Sequence, residues 1–146
     1  MEQKRLIGHE IHTLDNMIGR LISSLCENDG LTRMQGWIIG YLYEHDGENV
    51  FQKDLESQFR IARSTATGIL QLMEKRGFLR REPISTDARL KRLFLTEKGI
   101  SHQLTVIRNI MQFDQMLQKG IPPQKLDTFF EVIQQMKQNL ENNSNL

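Results

Sequence analysis

The order of the predicted elements in the middle of the chain constrains the fold more than any other feature. Residues 52–76 contain two short helical segments joined by a three-residue turn, and the second segment starts with small polar and basic side chains. Residues 78–84 and 93–95 have strand-forming composition, and the turn-forming residues 85–88 lie between them. Two short helices followed by a β-hairpin predict a winged helix-turn-helix fold.

Apolar periodicity predicts further helices on both sides of this module. Residues 4–26 carry isoleucine and leucine at spacings of three and four, as in an amphipathic helix. Thr32 and Gln35 have the spacing of a capping box, so a second helix should start there. Thr96 is predicted to cap a fifth helix, and a sixth should begin near Pro123.

Together these elements predict a mainly α chain with a small β-wing and a helical region at each end. We expect a single domain over residues 1–146, in which the winged helix spans about 32–99. The terminal helices, for which a role in dimerisation is argued below, should lie at about 4–27 and 100–141, and a short strand is predicted at 50–51.

Composition and motifs exclude several classes of protein. No apolar run approaches the roughly 20 residues of a membrane span. Cys26 is the only cysteine, so no intrachain disulfide can form. The first residues lack the apolar core of a signal peptide, and we therefore expect a cytoplasmic protein without a membrane partner. No nucleophile elbow, phosphate-binding glycine loop or metal-protease motif occurs, which predicts a chain that is not an enzyme and holds no cofactor or metal.

Charge is unevenly distributed along the chain. Residues 60–92 hold nine basic and three acidic side chains, a net charge of +6, whereas the rest holds ten basic and fifteen acidic ones, a net charge of −5. A basic middle between acidic ends is expected when one module meets phosphates and the remainder does not. Charge alone fits a solvated surface of mixed sign equally well; together with the helix-turn-helix and the hairpin, it makes double-stranded DNA the expected partner of the winged helix.

The predicted recognition helix begins with side chains suited to a DNA groove. The major groove admits an α-helix, and the first turns of that helix make the base contacts. Arg63 can grip guanine with two hydrogen bonds or contact a phosphate. Ser64 and Thr65 are short donors suited to phosphate. Thr67 can also meet a thymine methyl, and Gln71 lies one turn further along the same face.

The predicted hairpin tip is strongly basic and carries Arg89, Lys91 and Arg92. A narrow minor groove has an enhanced negative potential that attracts an inserted arginine. Asp87 is expected to hold the loop, either by pairing with an arginine or by accepting backbone hydrogen bonds. One of Lys91 and Arg92 should face away from DNA, and we take Lys91 as the DNA contact.

Several segments resemble the MarR family of bacterial transcriptional regulators. The wing signature of that family is Asp-x-Arg, five further residues and Leu-Thr-x-x-Gly. This chain matches the signature with Asp87, Arg89, Leu95, Thr96 and Gly99. Further matches occur in the second, third and recognition helices, at residues 31–35, 52–55, 63–67 and 72–79. The resemblance covers nearly the whole chain and implies that Arg89 enters the minor groove while Asp87 braces the wing.

The terminal helices carry apolar stripes that lie outside the winged helix. A two-fold homodimer would bury both stripes and set two recognition helices about one DNA turn apart, so that the dimer reads a pseudo-palindrome. The resemblance implies dimerisation of this kind. We expect the contact to include Ile11, Leu14, Phe130 and Ile133.

The resemblance also implies a ligand-responsive repressor that releases DNA when a small-molecule effector binds. The effector would lie between the dimer region and the winged helix, near Trp37, Tyr41 and His12. Binding there would change the spacing of the two recognition helices.

Two other functions remain open at the level of the residues. The same scaffold could sense redox state through Cys26, or a metal through His9 and His12, which are three residues apart on one helix. A winged helix can also bind a protein in place of DNA, although the charge of residues 60–92 would then have no purpose.

Overall fold

A computed structural model of the chain describes residues 5–26 and 29–143. These residues form six helices and one antiparallel pair of strands, which confirms the predicted mainly α fold with a small β-wing. The elements are α1 (Ile7–Cys26), α2 (Arg33–Glu44), α3 (Gln52–Phe59), α4 (Arg63–Lys75), β1 (Leu79–Ile84), β2 (Asp87–Leu95), α5 (Glu97–Gln118) and α6 (Pro123–Asn142). None of the described helices is both long and apolar enough to cross a membrane.

The chain divides into two compact units, one that reaches to Asn109 and one that starts at Ile110. The first unit contains α1 to α4, both strands and the start of α5, and the second contains the rest of α5 and all of α6. The assignment of residues 1–146 to a single domain stays a prediction.

A buried apolar core joins α2, α3, α4 and the two strands within the first unit. Burial of each large apolar side chain contributes about 1.5–3 kcal/mol, so this core is the main source of stability for the winged helix. Its most deeply buried members are Ile38, Ile39, Leu55, Leu70, Met73, Phe78 and Leu79.

Local hydrogen bonds fix the starts of α2 and α3. The hydroxyl of Thr32 accepts a bond from the Gln35 amide at 3.3 Å, and the Thr32 amide donates to the Gln35 side chain at 2.9 Å, which confirms the predicted capping box. Phe51 is the N-cap of α3 but has no polar side chain to offer. The carboxylate of Asp54 instead accepts the Phe51 amide at 2.8 Å, so one of the free amides at this helix start is satisfied.

A sharp turn sets the direction of α4. α3 ends at Phe59, and Arg60 then adopts a left-handed backbone conformation with φ of 51°. The Ile61 amide donates to the carbonyl of Glu56 at 3.1 Å and closes the turn. At its other end α4 is followed by Gly77 with φ of 79°, a conformation that favours glycine after a helix.

The wing is a longer hairpin than the sequence indicates. β2 starts at Asp87, so only Ser85 and Thr86 remain as the turn, whereas residues 85–88 were expected there and the return strand was expected at 93–95. Backbone pairing from Leu79↔Leu95 onward carries the ladder through the charged segment, because strand hydrogen bonds do not depend on apolar side chains.

The short strand predicted at 50–51 is wrong. One backbone bond, from the Leu93 amide to the Val50 carbonyl at 2.8 Å, connects this segment to β2 without forming a ladder. Burial of Val50 against the core, rather than strand pairing, explains its apolar character.

In the second unit a short turn joins the end of α5 to α6. Gly120 has φ of 78° and ends the α5 region, and Pro122 is the N-cap of α6 with a proline at the first helical position. No residue of α6 is buried, although Phe129 and Phe130 are large and apolar. An apolar face of this kind is available for an interface.

Candidate nucleic-acid interface

The first turn of α4 is open to the surroundings. The side chains of Arg63, Ser64 and Thr65 are all exposed. Ala62 is the N-cap, in an extended conformation, and forms no side-chain hydrogen bond. Ser64 and Thr65 therefore do not serve as the N-cap, and the amides of the first turn stay available for an external acceptor such as a phosphate.

A glutamine from α3 holds the start of α4. The side-chain amide of Gln52 donates to the Thr67 hydroxyl at 2.9 Å, to the Arg63 carbonyl at 3.3 Å and to the Glu56 carboxylate at 3.0 Å. The Thr67 hydroxyl in turn donates to the Arg63 carbonyl at 2.9 Å. The hydroxyl of Thr67, a predicted base contact, is thus already engaged within the protein, and its methyl group is the part left for a partner.

Sequence reasoning missed Gln52 because its partners are far away along the chain. The bond between Gln52 and Thr67 joins residues 15 positions apart, and no local pattern indicates it. A second missed group is His102, which is 7% exposed and whose Nδ1 lies 2.5 Å from a carboxylate oxygen of Asp29. This pair joins α5 to the segment before α2.

The wing tip has the arrangement expected of a braced loop. A carboxylate oxygen of Asp87 accepts the backbone amide of Arg89 at 2.9 Å, and both side chains are exposed. The bond fixes the backbone of Arg89 near the start of β2, so the guanidinium extends from an ordered backbone.

The two faces of the hairpin separate its basic side chains. Successive residues of a strand point to opposite faces. The guanidinium carbon of Arg92 lies over the Phe94 ring, 4.2 Å from its centre, and that of Arg80 lies 5.2 Å from the same centre. Lys91 instead lies beside Gln71 and Lys75 of α4 on the edge of an open cleft. Arg92 therefore belongs to a stacked cluster on one face, and Lys91 faces α4.

Internal partners occupy every acidic group of the basic segment. Glu74 pairs with Arg81 at 2.8 Å, Glu82 pairs with Arg80 at 2.6 Å, and Asp87 accepts the amide of the wing tip. Two backbone carbonyls before α2 also take up the guanidinium of Arg76. Within the described residues, five of the nine basic side chains then have no hydrogen bond, ion pair or ring contact with a protein group: Arg60, Arg63, Lys75, Arg89 and Lys91.

Hydrogen bonds of Thr96 connect the end of β2 with the end of α4. The hydroxyl of Thr96 donates to the Gly77 carbonyl at 2.5 Å and accepts the Gly99 amide at 3.2 Å. The Thr96 amide donates to the Phe78 carbonyl at 3.1 Å. A methyl group on Gly99 would lie 2.3 Å from that same carbonyl oxygen. The Leu-Thr-x-x-Gly segment is therefore the packing contact that orients the wing relative to α4.

The three residues predicted near an effector have separate surroundings in the structure. Tyr41 stacks on the His45 ring at 4.0 Å, and His12 lies 3.1 Å from the side-chain amide of Asn16. Trp37 is 53% exposed. No hydrogen bond or ring contact joins these three residues to one another in the part of the chain that the structure describes.

The groups considered for redox or metal sensing gain no support from the geometry. The thiol of Cys26 lies outside the described side chains. Among the residues that are described, no three histidine, cysteine, aspartate or glutamate side chains lie close enough together to hold a metal ion. His9 and His12 have no third ligand within that set.

Comparison with known proteins agrees with the fold. The family model described as MarR family matches residues 29–90. The HTH-type transcriptional regulator YybA of Bacillus subtilis (strain 168), itself uncharacterized, is 25% identical over 129 residues, which cover 86% of this chain and 85% of YybA.

Solved structures extend the similarity to nearly the whole chain. A point mutant of S. aureus MepR has a TM-score of 0.87 at 18% identity and covers 93% of this chain and 99% of its own. A complex of MepR with DNA has a TM-score of 0.78 at 20% identity, with 91% and 98% covered. The transcription regulator MarR from Oenococcus oeni PSU-1 has a TM-score of 0.61 at 27% identity, with 91% and 99% covered. Over residues 29–90 the chain is therefore similar to MarR-family transcriptional regulators, and the solved structures share its fold.

Proposed function

We propose that this chain is a MarR-family transcriptional regulator that binds double-stranded DNA, with α4 in the major groove and the hairpin of β1 and β2 in the adjacent minor groove. The observation that carries the proposal is the distribution of unpaired positive charge. The basic side chains without a protein partner lie in the turn before α4, on α4 and on the wing, and the acidic groups among them are all paired internally. MepR, which has the same fold, has been solved in complex with DNA.

The start of α4 supplies the base and phosphate contacts of the proposal. Arg63 is exposed and can form two hydrogen bonds to a guanine edge. Ser64, Thr65 and the free amides of the first turn suit phosphate oxygens. The methyl of Thr67 suits a thymine methyl, and the amide of Gln71 suits an adenine edge.

The wing supplies a second contact in the minor groove. Arg89 extends from a backbone that Asp87 holds in place, and Lys91 lies on the α4 side of the hairpin. Insertion of Arg89 into a narrow minor groove would favour DNA sequences in which that groove is narrow.

We test DNA binding with the duplex upstream of the chain's own gene, by fluorescence anisotropy at two salt concentrations. Affinity should fall steeply as salt rises, because bound phosphates release counterions. Arg89→Ala should weaken binding by about 1–3 kcal/mol, whereas Arg80→Ala, which removes a paired charge on the other face of the wing, should have little effect. Absence of binding at micromolar protein and low salt would refute the proposal.

The active form is proposed to be a homodimer. Ile11 and Leu14 of α1 are exposed, and Phe130 of α6 is 60% exposed. Without a second copy of the chain, this apolar surface would face water. Ile133 lies on α6 close to Phe130 in sequence. Light scattering at micromolar concentration should give twice the mass of the chain, and a monomeric mass would refute this part of the proposal.

The regulator is further proposed to be a repressor that a small molecule releases from DNA. MepR has been solved bound to ethidium bromide as well as to DNA. A site near Trp37, Tyr41 and His12 would lie on α1 and α2, outside the α4 surface. A ligand that favours the released form by about 1.4 kcal/mol lowers DNA affinity tenfold.

Trp37 provides a direct probe of this effector site, because it is the only tryptophan in the chain. Titration with ethidium bromide in the absence of DNA should quench the emission of Trp37. Over the same concentration range it should lower DNA affinity more for the wild type than for Trp37→Phe, because intercalation of ethidium into the duplex affects both proteins alike. Trp37→Phe gives the matched background for the optical signal. Quenching without any change in DNA affinity would contradict the proposal that ligand binding releases the DNA.

A further inference from the structure

An open cleft lies between α4 and the wing. It is lined by Gln71, Glu74 and Lys75 of α4, by Arg81 of β1 and by Lys91 of β2, and it has a volume of about 470 Å³. We call it the α4–wing cleft. Lys75, Glu74 and Arg81 were not among the DNA contacts that the sequence indicated.

The charges of the cleft are arranged around one ion pair. Three cations and one carboxylate line it, which leaves a net charge of +2. The Nε of Arg81 donates to the carboxylate of Glu74 at 2.8 Å. The side chain of Arg81 is only 20% exposed, so Glu74 holds it in one orientation. Because Nε is the bonded atom, the terminal nitrogens of the guanidinium keep donors for another acceptor.

The geometry points to a DNA backbone strand as the occupant, an inference that rests on the proposed function. With α4 in the major groove and the wing in the neighbouring minor groove, the strand that separates the two grooves must pass between them. The α4–wing cleft lies at that place and presents Lys75, Arg81 and Lys91. We infer that the cleft seats a phosphate of this strand.

Glu74 acquires a specific role in this arrangement. Its carboxylate orients Arg81 and at the same time lies near the bound phosphate, which it repels. Glu74 is therefore a positioning residue that also limits affinity. Since it reads no base edge, its effect is the same for the operator and for an unrelated duplex.

The salt dependence of binding tests the cleft. The logarithm of the association constant falls linearly with the logarithm of the salt concentration. Lys75→Gln and Arg81→Gln should each make this slope less steep by about 0.9, the value expected for one lost phosphate contact. The operator and an unrelated duplex should lose affinity alike. Arg80→Gln is the matched control, because Arg80 is adjacent on β1 but pairs with Glu82 and stacks on Phe94.

Glu74→Gln provides a test with the opposite sign. It should tighten binding to both duplexes by about threefold to tenfold at low salt, because the amide oxygen of glutamine can still accept the bond from Arg81 while the repulsive charge is removed. Unchanged or weaker binding would overturn the role of Glu74. Thermal unfolding of each variant shows whether its fold is intact, and the exposed Lys75 keeps the test valid if Arg81→Gln does not fold.

The outcomes separate failure of the cleft from failure of the proposed function. If wild-type protein binds no duplex at low salt, DNA binding itself is wrong. If wild-type protein binds with a steep salt slope but Lys75→Gln and Arg81→Gln keep that slope, only the cleft is overturned. An equal loss of slope in Arg80→Gln would likewise overturn it, because general charge would then explain the effect.

Discussion

Gly99→Ala should destabilise the winged helix although alanine favours helices. Gly99 lies in the first turn of α5, against the backbone where the chain leaves α4. A Cβ at this position would be 2.3 Å from the carbonyl oxygen of Phe78 and 3.1 Å from a methyl carbon of Leu95. Unstrained carbon contacts lie at about 3.5–4.0 Å, so α5 or the Phe78 carbonyl would have to move by roughly 1 Å.

The cost of that movement can be worked out from the contacts. The Phe78 carbonyl accepts the Thr96 amide at 3.1 Å, so its displacement weakens a hydrogen bond worth about 1 kcal/mol. Overpacking in a filled site costs about 1–3 kcal/mol. Alanine recovers about 1 kcal/mol of helix propensity. The net expectation is a loss of about 1–3 kcal/mol.

Urea denaturation followed by circular dichroism measures the change, with Gly68→Ala as the control. Gly68 is also helical, on α4, but an added Cβ meets no atom within 4 Å, so this variant should gain up to about 1 kcal/mol. The two substitutions are chemically identical and should change the free energy of unfolding in opposite directions. If Gly99→Ala is as stable as Gly68→Ala, the close approach of α5 to Phe78 is wrong.

Three further substitutions test individual hydrogen bonds. Gln52→Ala should weaken DNA binding about fivefold, because it removes a hydrogen bond to α4 whose net contribution is roughly 1 kcal/mol. If fluorescence anisotropy gives the same affinity as for the wild type, the bond does not position α4. Thr96→Val should lower the free energy of unfolding by about 1–2 kcal/mol in urea, whereas Thr96→Ser should keep most of it. Arg76→Gln should cost about 1 kcal/mol in the same assay, since it removes two bonds to backbone carbonyls, and a neutral result would contradict their contribution.

The elements that the sequence predicts well are those with local causes. The capping box of Thr32 and Gln35 is confirmed because both partners lie within one turn. The end of α4 is marked by Gly77, whose positive φ is a property of one residue. Helix order follows from apolar periodicity, which the core of the first unit bears out.

The failures arise where a distant segment decides the structure. Val50 is apolar because it packs into the core, and sequence alone cannot distinguish this from a strand. β2 extends through charged residues because β1 pairs with it. The bond from Gln52 to Thr67 and the pair of His102 with Asp29 both join separate elements, and the latter spans 73 positions.

The placement of charged side chains is a property that the structure shows and the net charge of the sequence does not. Arg80 and Arg81 are neighbours, carry the same charge and contribute equally to the net charge of the basic segment. Strand alternation puts them on opposite faces, where Arg80 pairs with Glu82 and Arg81 lines the α4–wing cleft. An electrostatic model based on net charge predicts that Arg80→Gln and Arg81→Gln weaken DNA binding equally. The structure predicts that only Arg81→Gln does so. Comparing the DNA affinity of these two variants decides whether binding depends on the total charge or on where each charge lies.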